Sequence, residues 1–574
     1  MGLNSVDGGA RILSPVIDRF LEQYFLQHPV NATFTGMHAH DHRLPDWSRA
    51  ARAADAVAMQ RLHSELAAAH PLPVTAPAAM LRDDDALLDA ELARANLDVR
   101  LAEHASGFFH DRNPALWTGE AIFGAVSLMI RSFASQNERL PALTSRLEAI
   151  GPFLDEMQRV ITGPVPRAWT ERASRESAAA IALFGDGIEQ WLAGEECSAD
   201  RVSALRAAAR RARAAFSACQ EWLTARLAAK DDAVCCGSGL FDVLLRRGHY
   251  CDRTPAELLL VVRAEIVREQ SVLQAMLAAR GWTLFDAQRA MAADHPNVDD
   301  YPHSFARRWA ECRTLAQAHD AVHWPDWPIR YVPIPQWARA AAPSLYWLFY
   351  RSPAPMDRYD VHDYVIAPID ASMPIDEQQR RLALWNHSVI TLNHVVHHGS
   401  IGHHVQNWHA YHQSRSRLGT MAAVDCASRI GMFLGGSMAE GWACYATGLM
   451  EEFGLLTPLE RLSEQHSRVR MLARAIVDIE LHVGEFSLDD AKQFYRNEVG
   501  MPVETAAAEA IKNSMFPCTA VMYWLGTQAV RDVRDRLHAR DGTAFSLRTF
   551  HDALLSRGSV PVLLVASLLE APAA

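Results

Sequence analysis

Features that would anchor a chain in a membrane, staple it with disulfides or draw it to nucleic acid are all scarce in this sequence. No stretch approaches the roughly 20 apolar residues needed to span a bilayer. The opening Met1-Gly2-Leu3-Asn4-Ser5-Val6-Asp7 lacks the basic start and apolar run of an export signal. Cysteine is sparse, nine in 574 residues, odd in number and without C-x-x-C spacing, so a disulfide framework is excluded and reduced thiols are expected. The adjacent Cys235 and Cys236 read as buried thiols rather than a redox couple. Basic side chains number 56 against 67 acidic ones, a formal net charge of -11, and they are dispersed rather than gathered into a stripe. That distribution argues against nucleic acid. Repeats and low-complexity linkers are missing too. The expectation is a cytoplasmic globular protein without nucleic-acid or membrane partners.

What is abundant is helical patterning. Hydrophobic residues make up 49% of the chain, ample for a large core. Thr254-Pro255-Ala256-Glu257 and Thr457-Pro458-Leu459-Glu460 carry the capping-box order with Pro at the first helical position, and Ser487-Leu488-Asp489-Asp490 caps a further helix. Between the last two, Val469, Leu472, Ile476 and Ile479 recur at the spacing of a buried stripe. The Arg/Ala-rich run from Val202 to Leu227 is helical as well, its charges reading as a solvated face. Strands are expected only around Ile329 to Pro333 and Tyr359 to Ile366, where Pro and aromatic residues thicken. The predicted architecture is mainly α, one domain over 1–574, with approximate halves 1–300 (a helical N-terminal lobe) and 301–574. A small sheet lies beside the His-rich segment, and the seam falls near 290–330.

That segment, His397-His398-Gly399-Ser400-Ile401-Gly402-His403-His404, packs four imidazoles into eight residues. Such density points to a metal, because imidazole nitrogen is a strong neutral donor for zinc, copper, nickel or iron. The plainer alternative is helix caps or a polar core. Glu440, in Met438-Ala439-Glu440-Gly441-Trp442-Ala443-Cys444-Tyr445, is a candidate distant ligand. In a regular helix, residues six apart diverge by roughly 120° and about 9 Å, so His397 and His403 can share an ion only if the helix breaks. Gly399 and Gly402 supply a place for that break. Without it, His394 and His398 stand at i, i+4 and compete as ligands with His403 or His404. Trp408 and Trp442 read as packing for the site wall, and His409 and His412 as solvated or packing residues.

These residues, in this order, resemble the bacterial family named domain of unknown function 885, proteins similar to zincin-type metallopeptidases. His397, Gly402, His403 and His404 match its H-E-x-x-P-G-H-H motif, and Glu440, Gly441, Trp442, Ala443 and Tyr445 its E-G-W-A-x-Y. Asp478 and His482 match D-x-G-x-H. Glu509, Pro517, Ala520, Tyr523 and Gly526 follow its E-x-x-R-Y…P-G-Q-A…Y…G run, and Phe550-His551-Asp552 closes the match. Near the other end, Pro29 to Thr33, Gly36 and Leu44-Pro45-Asp46 resemble its opening. The resemblance implies a large two-lobed, helical, zincin-like body with His397, His403 and Glu440 holding zinc, or alternatively iron, manganese or copper. His404 then orients the site or adds a fourth ligand. The chain departs from the pattern where the expected general base, a Glu, is His398. Ile401 replaces the motif's Pro, Lys512 and Asn513 replace Arg and Tyr, and Thr519 replaces Gln. The implied activity is metal-dependent hydrolysis of a peptide-like or amide small substrate, with His398 as base and His482 and Tyr523 as further catalytic groups. A non-hydrolytic or redox enzyme on the same fold, or an inactive pseudopeptidase, are the alternatives.

Overall fold

The computed structural model describes residues 14–71, 78–227, 233–344, 353–357, 360–422, 436–484 and 486–571. Helices dominate, as the patterning predicts. Those used below are α1 (Gln136–Val160), α2 (Arg167–Ala182), α3 (Ala199–Arg226), α4 (Pro255–Ala278), α5 (Val389–Gly399), α6 (His403–His412), α7 (Gly436–Glu452), α8 (Pro458–Val483), α9 (Leu488–Val499), α10 (Val503–Met515) and α11 (Val521–Asp541). Capping decides where several of them start. Thr254, Thr457 and Ser487 each accept from the backbone N–H three residues on, while Glu257, Glu460 and Asp490 reach back to the cap's own N–H. Each reciprocal pair satisfies two backbone donors that a helix start leaves orphaned, a contribution of about 1 kcal/mol.

The expected strands form β1 (Ile329–Pro333) and β2 (His362–Ile366), paired in parallel with Ile329 opposite His362 and Tyr331 opposite Tyr364. Their role is to buttress α5. Tyr364 OH shares a 2.7 Å hydrogen bond with His394 Nδ1, whose ring stacks on Trp385 at 4.1 Å between centroids.

Two large apolar cores are present, and both draw on residues from before and after position 300. One runs from Val30 to Ala342 and resumes from Leu462 to Leu525; the other joins Val16 to Leu97 with Cys312 to Leu568. Neither core is confined to one side of the 290–330 stretch. α1 lies on α3, α4 on α8 and α7 on α11. The last pair comes unusually close. A Cβ on Gly441 would overlap the backbone of Gly526, and a Cβ on Gly526 would overlap the Ser437 carbonyl and Gly441 Cα. Only residues without side chains permit this approach, and it sets the height at which Glu440 is presented.

Candidate metal centre

The break required between His397 and His403 is present. α5 is wound with the wide i→i+5 turn that recurs at functional sites, ends at Gly399, and gives way to Ser400 (φ -133°, ψ -118°) and Gly402 (φ -69°, ψ -120°) before α6 begins at His403. Glycine is needed at both corners. A Cβ on Gly402 would overlap the His397 carbonyl, and one on Gly399 the Tyr331 hydroxyl. Trp442 pins the broken segment, donating from Nε1 to the carbonyls of Ile401 (2.8 Å) and Gly402 (3.2 Å).

The break brings three imidazoles together. One ring nitrogen from each of His397, His398 and His403 lies within 4.8 Å of the others. Glu440 completes the group from α7, with Oε2 at 3.2 Å from His397 Nε2 and 3.7 Å from His403 Nε2. That oxygen is buried and accepts no hydrogen bond among the described residues. Donors held about 2.0–2.1 Å from a tetrahedral ion stand about 3.4 Å apart, so the spacing suits coordination. Burial opposes a charge on Glu440, and the two imidazoles hold it well below the usual carboxylate range. Burial also pushes His397 below the usual imidazole range, and His398 well below it.

His398 Nδ1 donates to the Asn393 carbonyl at 2.7 Å, which makes Nε2 the unprotonated nitrogen of the ring. Cys444 Sγ stands 3.9 Å from His397 Nδ1. The group opens on a cavity of about 980 Å³ lined by residues of α2, α4, α5, α7, α8, α10 and α11. Tyr523 lines it, with the Arg474 guanidinium 5.1 Å from its ring centroid. Arg474 is clasped by Glu509 at 2.6 and 2.7 Å.

A model of the family described as bacterial protein of unknown function (DUF885) matches residues 29–569. The chain belongs to that family. A search of curated proteins returned no match. Two solved structures share the fold, each described as a "putative lipoprotein". The one from Shewanella oneidensis has a TM-score of 0.74 at 18% identity, covering 96% of this chain and 98% of its own. The one from Colwellia psychrerythraea has a TM-score of 0.75 at 15% identity, with the same coverage. No described helix of this DUF885 protein is long and apolar enough to cross a membrane.

Other residues singled out in the sequence have structural placements. His482 is wholly buried between Phe108 and Phe241; Nε2 donates to the Asn513 carbonyl at 2.9 Å and the residue does not line the cavity. Its α8 neighbour Asp478 accepts from the backbone N–H groups of Cys518, Ala520 and Val521, fixing the entry to α11. His404 turns away from the imidazole group, stacking on Trp327 and donating to its carbonyl at 2.8 Å. His394 belongs to the Tyr364–Trp385 buttress, so the competing i, i+4 pair is split: His398 joins the group and His394 supports it from behind. Trp408 stacks on His412 and meets His323 at a tilt, and neither it nor Trp442 lines the cavity. His409 Nε2 donates to the His323 carbonyl. Tyr445 OH meets His551 Nε2 at 2.9 Å, and His551 Nδ1 donates to the Ala321 carbonyl, so these two motif residues act as a brace. Sequence reasoning missed the cavity arginines on α8. Arg470 and Arg474 share one helix face, a spacing that in a sequence reads as a solvated stripe.

Proposed function

We propose that this protein is a metal-dependent hydrolase of peptide-like or amide substrates, with zinc held by His397, His403 and Glu440. The observation that carries this is Glu440 Oε2: buried, and 3.2 and 3.7 Å from the Nε2 atoms of His397 and His403, a coordination spacing, at the wall of a large cavity. Zinc bound there would supply Lewis-acid polarisation of an amide carbonyl and a lowered pKa for water. The chain's own residues do the rest. His398 Nε2 takes the proton of the attacking water, while the Asn393 carbonyl holds Nδ1–H, fixes the tautomer and stabilises the imidazolium that forms. Tyr523, which lines the same cavity, donates to the substrate oxygen.

Three imidazoles within 4.8 Å of one another also favour a second reading, in which iron, copper or manganese serves a non-hydrolytic reaction on a small molecule. Metal identity separates the two. Elemental analysis of untagged protein, paired with an unbiased screen of peptides and amides, should find close to one zinc per chain and metal-dependent cleavage. Iron or copper at that stoichiometry without cleavage would favour the second reading, and a protein that takes up no transition metal would overturn both.

A further inference from the structure

The guanidinium groups lining the cavity are unequally matched. Arg474 is held by Glu509, Arg468 by Glu451 at 2.6 Å and Glu464 at 3.3 Å, and Arg172 by Glu176 at 2.9 Å. Arg470 has no such partner: among the described residues no carboxylate lies within ion-pair distance of it. Its Nη2 reaches only Ser467 Oγ, at 3.4 Å, and its Nε is buried without a hydrogen bond. Arg470 lies near Arg474, Glu509, Cys444 and Tyr523, which places it on the same stretch of wall as the imidazole group, since Cys444 Sγ stands 3.9 Å from His397 Nδ1. Glu509 offers it little, because both carboxylate oxygens are bound by Arg474.

A half-buried guanidinium that faces no carboxylate among the described residues costs a folded protein stability, and the cost is relieved when a ligand brings the missing anion. A planar fork of N–H donors matches the two oxygens of a carboxylate. We propose that Arg470 binds a carboxylate of the substrate, so that the substrate class is peptide-like molecules carrying a free carboxylate close to the reacting amide. The position of the reacting amide rests on the hydrolase reading above; the carboxylate contact does not.

Calorimetric titration of the full-length, zinc-supplemented protein with N-acetyl dipeptides and with their C-terminal carboxamides tests this. Acids should bind about 10-fold or more tightly than the matching amides, the scale of a charge-assisted hydrogen-bond pair. Arg470→Met should erase the preference without changing metal content, and Arg470→Lys should keep part of it. Should the Met variant misfold, Arg470→Gln serves in its place. Equal binding of acids and amides, a preference that survives in the Met or Gln variant, or no binding of any acid would overturn the assignment. Repeating the titration with His397→Ala protein separates the two proposals. A preference that persists there, even if the wild type proves to hold no zinc, belongs to Arg470 and leaves only the hydrolase reading in default.

Discussion

Replacing Glu440 by Gln keeps the shape of a buried side chain and removes its charge, so it asks whether that charge is there for a cation. Zinc sites built from protein ligands hold their ion by about 10–16 kcal/mol, or about 3 kcal/mol per donor. An amide oxygen is a weaker donor, and a loss of about 2 kcal/mol corresponds to about 30-fold weaker binding. At a zinc concentration about 100 times the wild-type dissociation constant, binding stabilises the fold by about 2.7 kcal/mol. With about 2.1 cal/mol/K of unfolding entropy per residue, a chain of 574 residues converts this into a rise of about 2 °C in the melting midpoint. The same zinc should raise the Gln variant by under about 1 °C. After chelation the order should change, because folding no longer has to desolvate a carboxylate oxygen that accepts no hydrogen bond; the variant should then melt at or above the wild type. Differential scanning calorimetry with and without zinc, alongside elemental analysis, reads both arms. Full zinc occupancy in the variant, or an equal drop in midpoint with and without zinc, would refute the argument and make Glu440 a structural partner of an imidazolium.

Gly526→Ala should lower the melting midpoint by about 1–3 °C, from an overpacking cost of about 1–3 kcal/mol, and should also weaken zinc uptake, because α7 must back away and carry Glu440 with it; a variant with unchanged metal affinity would show that the helix spacing does not set the site. His398→Ala should retain the metal and lose turnover on whatever substrate the screen identifies, while His398→Glu should keep metal and keep or gain hydrolysis of simple peptides. Loss of metal from the Ala variant would make His398 a fourth ligand instead of a base. The His38 imidazole is partly buried, which alone lowers its pKa, but Asp41 and Asp357 at 2.8 and 2.9 Å raise it to about 9. A folded pKa above the unfolded value near 6.5 means that this stabilisation is complete below about pH 6.5 and is lost as pH rises through about 9. Melting midpoints of wild type and His38→Gln should therefore converge between pH 6 and pH 10, and a constant gap would refute the pairing.

Local signals in this sequence were legible because they act over three or four residues. Thr254, Thr457 and Ser487 begin helices where their capping partners place them, and the segments around Tyr331 and Tyr364 are the two described strands. The need for a break between His397 and His403 followed from helix geometry alone, and the break is there. Long-range partners were not legible. Whether Arg474 is a surface charge or a buried one depends on Glu509, 35 residues further on, and the isolation of Arg470 is a matter of which carboxylates fail to arrive. The placement of His482 away from the cavity was hidden for a similar reason. Its spacing from Asp478 marks a shared helix face, and only the packing of Phe108 and Phe241 around it shows that this face looks into the core. Motif membership likewise did not distinguish chemistry from carpentry, since Gly441, Gly526, Trp442, Tyr445 and Asp478 all hold backbone in place.

The glycine contact between α7 and α11 has a consequence for how this site can change. Because two backbones touch at Gly441 and Gly526, the height of Glu440 is dictated by main chain and is insensitive to the identity of the side chains around it. The Trp442 anchor does the same for the corner that delivers His403. Positions 398, 470, 512 and 523 line the cavity in front of this mount. On the proposed hydrolase reading, position 398 is then the place where a lineage or a designer could exchange a carboxylate for an imidazole while the backbone that carries Glu440 and His403 stays in place.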